Sequence, residues 1–393
     1  MKILHLITNL SPHYGGPVTV CKDMCRSLAN AGEEVTIYTT DLDFPKGRLN
    51  VALNTGIIQE GYNVWYFPVQ FSPYIVSWRL ATALHKNINK FDLVHIHGLY
   101  RFPQAVAAFF ARKYKIPYII RPYGSLAPVL FHRKKNRFLK RLYERLIENR
   151  NLNSASALHF SCQEEMRLVQ PLKLKAPGII VPNGLDFVKY TKLPPYGRFR
   201  EKHHLGDIKI ILHFGRIHFV KGLDILVKAF AQVARERDDV RLVLAGPDNE
   251  GYSKQVDNWL KHENVHSKAL FTGMLQRDDA LEVLRDADIF ALPSYTESFG
   301  MAVVEAMACG LPVVISDKVN IWREIHEAGA GLVTSCNADE VADRFFRLLD
   351  DESERKRLGE VGKVFVRDNY SWDSIVQKLL SSYQNIVDTH PKN

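Results

Sequence analysis

The stretch DIFALPSYTESFGMAVVEAMACGLPVVISD, residues 288–317, decides the fold. It opens on a short apolar run, IFAL, that Pro293 closes, as a buried strand would. A polar loop leads into FGMAVVEAMACG, apolar almost throughout and stopped by Gly310, which reads as a helix. The next run, LPVVISD, is again apolar and β-branched, a second strand. Strand, helix and strand in thirty residues make a βαβ unit, so the sheet is parallel and buried on both faces. Glu297 and Glu305 stand on either side of the point where strand gives way to helix. Ligands of such sheets gather beyond the carboxyl ends of the strands, so this loop is a candidate site on topology alone.

The same alternation runs outward along the chain. KILHLI, EVTIYTT, FDLVHIHG, YIIRPYG and ALHFSC read as strands with helices between them. The first helix has Pro17 at its first position and Gly32 just past its end. The pattern restarts after residues 179–199, where three prolines and two glycines without a period mark a linker. IKIILHFGRI, VRLVLAGP and ALFTGML then precede the opening stretch. The expectation is an α/β protein of two doubly wound, Rossmann-like domains, residues 1–184 and 185–370, facing a central cleft. Its length of 393 residues suits two domains.

Hydrophobic residues make up 46% and charged residues 24%, as in soluble globular proteins. The formal charge of +9 favours an anionic partner: nucleic acid, an acidic membrane or a phosphorylated substrate. A nucleic-acid protein is disfavoured, because the bases are not interleaved with aromatics and no binding module is legible. Five cysteines with no C-x-x-C spacing read as a reduced, cytoplasmic protein. MKILHLITNL reads as a first strand rather than a leader, and no apolar run approaches the ~18 residues of a membrane span.

Four groups of residues carry candidate chemistry. At the opening stretch, the amides of Ser298, Phe299 and Gly300, with Met301 behind them, lie where a helix begins and favour an anion. Glu305 lies ~6–8 Å further along the helix axis, where a carboxylate can accept both hydroxyls of a ribose. Glu297, ahead of the helix, can accept hydroxyls of a sugar. A cap and a solvated side chain are the plainer reading, but a glutamate inside so apolar a helix needs a partner. In GRIHFVKG, residues 215–222, Arg216 and Lys221 occupy a strand-to-helix loop and together can neutralise a diphosphate. Gly15 and Gly16 would let backbone amides approach a phosphate, although a plain tight turn explains them equally well. His95 and His97 share one face of a strand; His97, at its carboxyl end, is the candidate substrate contact. A zinc pair there lacks a third ligand. Two D-x-D triplets, at 41–43 and 286–288, are metal candidates, but Arg216 and Lys221 already supply positive charge, so no metal is expected.

Taken together, HYGGP, HIHGLY, VPNGLD, GRIHFVKGLDILVKAF, LVLAGP, FTGML and PSYTESFGMAVVEAMACGLPVV resemble a family-four retaining glycosyltransferase of the GT-B fold, over essentially the whole chain. The last is similar to that family's E-x7-E motif. The resemblance implies a nucleotide-sugar donor held by the second domain and an acceptor held by the first. Glu305 would hold the ribose and Glu297 the donor sugar. Arg216 and Lys221 would stabilise the leaving diphosphate, which the Gly16 amide would face. Met274 and Leu275 would border the base, and His97 would approach the sugar. It also implies a terminal helix, residues 371–393, returning to the first domain. UDP-glucose is the implied donor, a glycan or lipid-linked saccharide the acceptor, and polysaccharide synthesis the setting, with no cofactor. The chain departs from many relatives at YIIRPYGSL, where Arg121-Pro122-Tyr123-Gly124 stands in place of a histidine; a related surface-polysaccharide branch carries a similar Pro-x-Gly, and Arg121 and Tyr123 become the donor-contact candidates here. A nucleotide-sugar epimerase of the same fold is the rival enzyme.

Finally, HRKKNRFLKRLYERLIENR, residues 132–150, carries eight Lys and Arg against two Glu. Phe138, Leu142 and Leu146, with Leu139 and Ile147 alongside, predict an amphipathic helix. Its charges would face either water or an anionic membrane at the cytoplasmic side.

Overall fold

The computed structural model describes residues 1–11, 15–43, 47–126 and 143–390. The chain divides into two compact units, Met1–Gly184 with Trp372–Asn393, and Leu185–Ser371.

The first unit is built on an eight-stranded sheet. Its strands are β1 (Lys2–Asn9), β2 (Glu34–Thr40), β3 (Gly56–Gln59), β4 (Tyr62–Phe67), β5 (Leu93–His97), β6 (Tyr118–Arg121), β7 (Ala157–Phe160) and β8 (Gly178–Ile180). They lie in the order β3-β4-β2-β1-β5-β6-β7-β8. Every pairing is parallel except β3 with β4. Seven of the eight residues of β1 are buried, which is why it reads as a continuous apolar run rather than an alternating one. The hairpin β3–β4 was not read from sequence. Its turn is Glu60-Gly61, both with positive φ (46° and 87°), the twist that a two-residue hairpin needs. β8 also escaped the sequence reading, which placed 179–199 in a linker; this strand is three residues long and ends just before Pro182.

The second unit carries β9 (Lys209–Phe214), β10 (Val240–Ala245), β11 (Ala269–Gly273), β12 (Ile289–Leu292), β13 (Val313–Ser316) and β14 (Leu332–Thr334). Their order is β11-β10-β9-β12-β13-β14, all parallel. This is the 3-2-1-4-5-6 arrangement of a doubly wound domain, and the first unit repeats it around β4-β2-β1-β5-β6-β7. Each sheet therefore has one point where strand order reverses: between β1 and β5, and between β9 and β12. Loops that leave neighbouring strands there diverge to opposite faces and leave a crevice.

The helix Trp372–Thr389 buries Trp372, Ile375, Leu379, Tyr383 and Ile386, a stripe at helical spacing. That stripe joins the first unit's core together with Val18, Cys21, Met24 and Cys25 of the helix Gly16–Asn30.

Of the basic stretch 132–150, residues 132–142 lie outside the described residues. In the remainder, Leu146 and Ile147 do not pack into the core: they are 62% and 39% exposed. A π-helical turn over Glu144–Glu148 interrupts the 3.6-residue period there. No helix among the described residues is long and apolar enough to cross a membrane.

Candidate active site

In the second unit, glycines let three strand ends close on one another. A Cβ on Gly246, after β10, would lie 2.0 Å from the Gly215 carbonyl oxygen after β9. A Cβ on Gly222 would lie 2.0 Å from the Pro293 carbonyl oxygen after β12. Only glycine permits either approach. The Tyr295 amide then donates to the Val220 carbonyl at 2.8 Å, which ties the loop after β12 to the loop after β9. Lys221 ends a short 3-10 turn, Phe219–Lys221, in which His218 Nδ1 accepts the Val220 amide at 3.3 Å.

These ties bring Lys221 Nζ onto Glu297 Oε2 as an ion pair, with both side chains about one-sixth exposed. The Glu297 backbone is held as well. Its amide donates to the Lys318 carbonyl at 3.0 Å, and its carbonyl accepts the Asn320 amide at 2.9 Å. Arg216 is exposed on the same loop as Lys221 and has no ion pair among the described residues. Below the pair, His213 of β9 is fully buried; burial and the Lys221 charge pull its pKa down to about 4, so it is neutral near pH 7.

The helix after β12 begins at Met301, with Gly300 as its cap at φ 87°. Ser298 and Phe299 therefore belong to the turn ahead of it and not to its first turn. The Phe299 ring is core: it is 2% exposed and packs edge-on against Tyr370 at 5.2 Å, so only its backbone faces the loop. A side chain on Gly300 would crowd Val303 and Val319, both at 3.2 Å, so packing as well as φ fixes glycine there. Met301 and Glu305 are half-buried on this helix. A cavity of about 350 Å³ opens at the ends of β10 and β11, bordered by Ile217, Gly246, Asp248, Phe271 and Gly273. Met274 and Leu275 follow Gly273 in the chain but are not among its described lining residues.

Both D-x-D triplets have structural partners. Asp286 is fully buried and accepts the amides of Gly197, Phe199 and Arg200 at 2.7–3.1 Å. Asp288 pairs with Arg200 at 2.8 Å and Lys209 at 3.3 Å. Asp41 pairs with Arg48 at 2.9 Å, and Asp43 accepts the Ser11 hydroxyl at 2.6 Å.

The corresponding point of the first unit is built differently. Gly15 has φ 87° and caps the helix Gly16–Asn30; a Cβ on Gly15 or Gly16 would meet no described atom within 4 Å. At the strand ends, His5, His95, His97 and His159 are all buried, on β1, β5 and β7. His97, expected to touch substrate, lies beneath Tyr123: Tyr123 Oη is 2.7 Å from its Nδ1 and His5 Nδ1 is 2.9 Å from its Nε2. His95 Nδ1 is 2.5 Å from Tyr383 Oη, which the terminal helix delivers. His159 Nε2 donates to the Val181 carbonyl at 2.8 Å, so its Nδ1 is an acceptor, and His95 Nε2 donates to it across 3.4 Å. That leaves His95 Nδ1 to accept the Tyr383 hydroxyl.

Arg121 is 1% exposed and lies under Tyr123, its Cζ 5.0 Å from the ring centroid, with one amino group bonded to Asn183. Its other terminal nitrogen has no partner among the described residues. Burial and this guanidinium hold His5 down at about 3 and push His159 well below the usual imidazole range; burial with the neighbouring histidines, and to a lesser degree the guanidinium, does the same to His95 and His97. Glu165 completes the floor: its carboxylate accepts the Gly124 amide at 2.8 Å, and the Ser161 amide and hydroxyl at 2.7 Å. His5, His159, Glu165 and Tyr383 went unread in the sequence. No local motif marks them, and only strand pairing and helix return bring them together. His5, Cys21 and His97 place ligand atoms within 4.8 Å of one another, but the adjacent Arg121 charge opposes a cation there.

Two doubly wound domains are compatible with a GT-B architecture, and comparison with known proteins supplies the family. The model of the glycosyl transferase 4-like domain matches residues 15–184, and that of glycosyl transferases group 1 matches residues 197–365. The chain belongs to the family-four glycosyltransferases of the GT-B fold, and is a glycosyl-group transferase. It is similar to the N-acetyl-alpha-D-glucosaminyl L-malate synthase of Bacillus anthracis, with 27% identity over 96% of this chain and 95% of that one. It is also similar to the D-inositol 3-phosphate glycosyltransferase of Corynebacterium glutamicum, with 26% identity over 95% and 92%. Among solved structures, Anabaena HepE in complex with UDP and glucose superposes with a TM-score of 0.78 over 98% of this chain and 100% of that chain, at 20% identity.

Proposed function

We propose that this transferase moves a hexose from a UDP-sugar to a hydroxyl of a glycan or lipid-linked saccharide, with retention at the anomeric carbon and without a metal ion or other cofactor. The observation that carries this reading is the Lys221–Glu297 pair at the second sheet's switch point, with Arg216 unpaired among the described residues on the same loop. A departing diphosphate gathers negative charge, and two preorganised cations can stabilise it where other enzymes use a divalent metal. Glu297, with its backbone clamped, offers a carboxylate to sugar hydroxyls. Glu305, further along the helix, suits the ribose diol, and the adjacent 350 Å³ cavity suits a flat base. Tyr123 and Gly16 are the first unit's candidates to meet substrate.

Glucose is the favoured donor sugar. N-acetylglucosamine is its first competitor, because the Bacillus anthracis relative carries that group in its name. The setting we favour is polysaccharide synthesis in the cytoplasm, with residues 132–150 resting on the inner membrane face.

The test is a thermal-shift screen against UDP- and GDP-sugars, followed by NMR of the product's anomeric centre. A ligand at ~100 times its dissociation constant adds about 2.7 kcal/mol. An inverted product overturns retention. Loss of transfer in EDTA, restored by manganese, overturns the metal-free reading. Conversion of a UDP-sugar into its epimer without acceptor selects the epimerase instead.

A further inference from the structure

Among the described residues three arginines are buried: Arg121, Arg200 and Arg355. Two of them have the support that a buried guanidinium needs. Arg200 forms an ion pair with Asp288 at 2.8 Å and donates to the carbonyls of Gly206, Ile208 and Asp286 at 2.5–3.1 Å. Arg355 donates to the carbonyls of Leu348 and Leu349, at the negative end of the helix Ala338–Asp350. Arg121 has neither a carboxylate nor a helix end. It bonds one neutral amide oxygen, that of Asn183, and lies under the Tyr123 ring. The acid of this floor, Glu165, gives its oxygens to the Gly124 amide and to the Ser161 amide and hydroxyl, and forms no ion pair with Arg121 among the described residues. The four imidazoles nearby are neutral and offset nothing. A charge taken out of water without a counter-charge is the costliest thing a core can hold, so buried charges are paired.

The unfilled atoms of this cluster share one polarity. Arg121 Nη1 and His5 Nε2 have no partner among the described residues. A guanidinium nitrogen can only donate. His97 Nδ1 is 2.7 Å from Tyr123 Oη, and His97 Nε2 is 2.9 Å from His5 Nδ1. With the Tyr123 hydroxyl donating into this row, each imidazole donates to the next and the row ends on His5 Nε2–H, a second donor. The Arg121 charge acts on His5, so both donors belong to one neighbourhood. A water molecule there would accept from both but leave the charge in place and add two donors of its own. An anion removes the imbalance of charge and of donors together.

We infer that the first unit holds one small monovalent anion, of chloride's size, between Arg121 Nη1 and His5 Nε2. The packing sets the size: the His5 ring centroid is 5.2 Å from those of His95 and His97, and Arg121 is 1% exposed. The anion also fixes the tautomers of the row. Tyr123 then donates inward to His97 and offers substrate only its oxygen lone pairs. The inference stands on the first unit alone and does not depend on the transferase reading.

The test is hydrogen exchange of the whole protein, dialysed free of halide, with sodium chloride or bromide replacing sodium gluconate at constant ionic strength. Above the dissociation constant, protection of β1, β5 and β7 should rise about tenfold for each tenfold rise in free halide, as for any ligand that binds the folded state alone. Arg121→Met, which keeps the length of the side chain and removes its charge, should lose this dependence. His5→Phe, which removes the second donor, should weaken it. Halide on the protein surface acts on wild type and variants alike and cancels in the comparison. Should both variants fail to fold, crystals of the wild type grown in bromide decide, through an anomalous peak within hydrogen-bond distance of Arg121 Nη1. Protection of the wild type that does not change with halide, a dependence that persists in folded Arg121→Met, or no peak beside Arg121 overturns the inference.

Discussion

The two switch points of this molecule solve the same structural problem with different chemistry. Beyond β1 and β5 the floor is four buried, neutral imidazoles around one buried guanidinium. Beyond β9 and β12 it is a lysine and a glutamate that neutralise each other near water, over a single buried histidine. A buried imidazole stack offers directional hydrogen bonds and resists taking up charge. An ion pair at the edge of solvent can be opened, and each partner offered to a ligand. The first arrangement suits neutral hydroxyl groups, and the second suits charge that moves during a reaction.

Acid should break this symmetry most strongly. A histidine whose folded pKa lies below its unfolded value of about 6.5 stabilises the fold above that pH and loses the contribution as pH falls. At pH 5 each such histidine costs about 2 kcal/mol relative to pH 7. The first unit holds four of them at its site and the second holds one. Hydrogen exchange at pH 7 and pH 5 should show β1, β5 and β7 losing protection well before β9, β10 and β12. Equal loss in both units would remove the contrast.

Charge should matter for turnover in the second unit. Lys221→Ala or Glu297→Gln should cut the rate of transfer by about 10²–10³ with little loss of melting temperature, since loss of one preorganised group costs on that order. A folded Lys221→Ala variant with near-normal transfer would remove the diphosphate role from this residue.

Glu148 gives the first unit a pH dependence of opposite sign. Burial lifts its pKa to about 7, against the Tyr100 amide and the Tyr143 side chain that favour its charged form, while Glu144 adds repulsion. The folded chain then keeps a proton that the unfolded chain releases, so stability falls as pH rises from about 4.5 to about 7. Glu148→Gln should remove this slope, gaining up to about 3 kcal/mol on the wild type between pH 5 and pH 8 in urea titrations. A parallel offset at both pH values would show that Glu148 does not titrate there.

The smallest expected effect is that of Tyr123→Phe, which removes one hydrogen bond to His97 and should cost about 1 kcal/mol of stability. If turnover falls by more than this, the Tyr123 hydroxyl also meets substrate; if only stability changes, it merely anchors the imidazoles.

Much of the molecule was legible in its sequence because the signals are local. Apolar runs of strand length, closed by Pro293 or Gly215 and followed by helical runs, give a parallel sheet without any distant information. Glu297, Arg216 and Lys221 could be singled out because loops after strands are where such sheets bind. The hairpin at Glu60-Gly61 was missed because its turn needs positive φ at a glutamate, which few turn signatures announce. The sequence reading concerned only the Phe299 amide and did not say where its ring goes, because nothing local shows that Tyr370 packs against it.

What the sequence determined by itself is the alternation of strands and helices apart from the hairpin β3–β4 and the short β8, the two-domain repeat and which loops carry charge, since all of these follow from backbone period and residue type over a few neighbours. Tertiary structure alone decided which distant residues meet. Lys221 and Glu297 are 76 residues apart, His5 and His97 are 92 apart, and His95 and Tyr383 are 288 apart. Each pair depends on which strands become neighbours or where a helix returns, so its energy belongs to the folded sheet and leaves no mark in the local sequence.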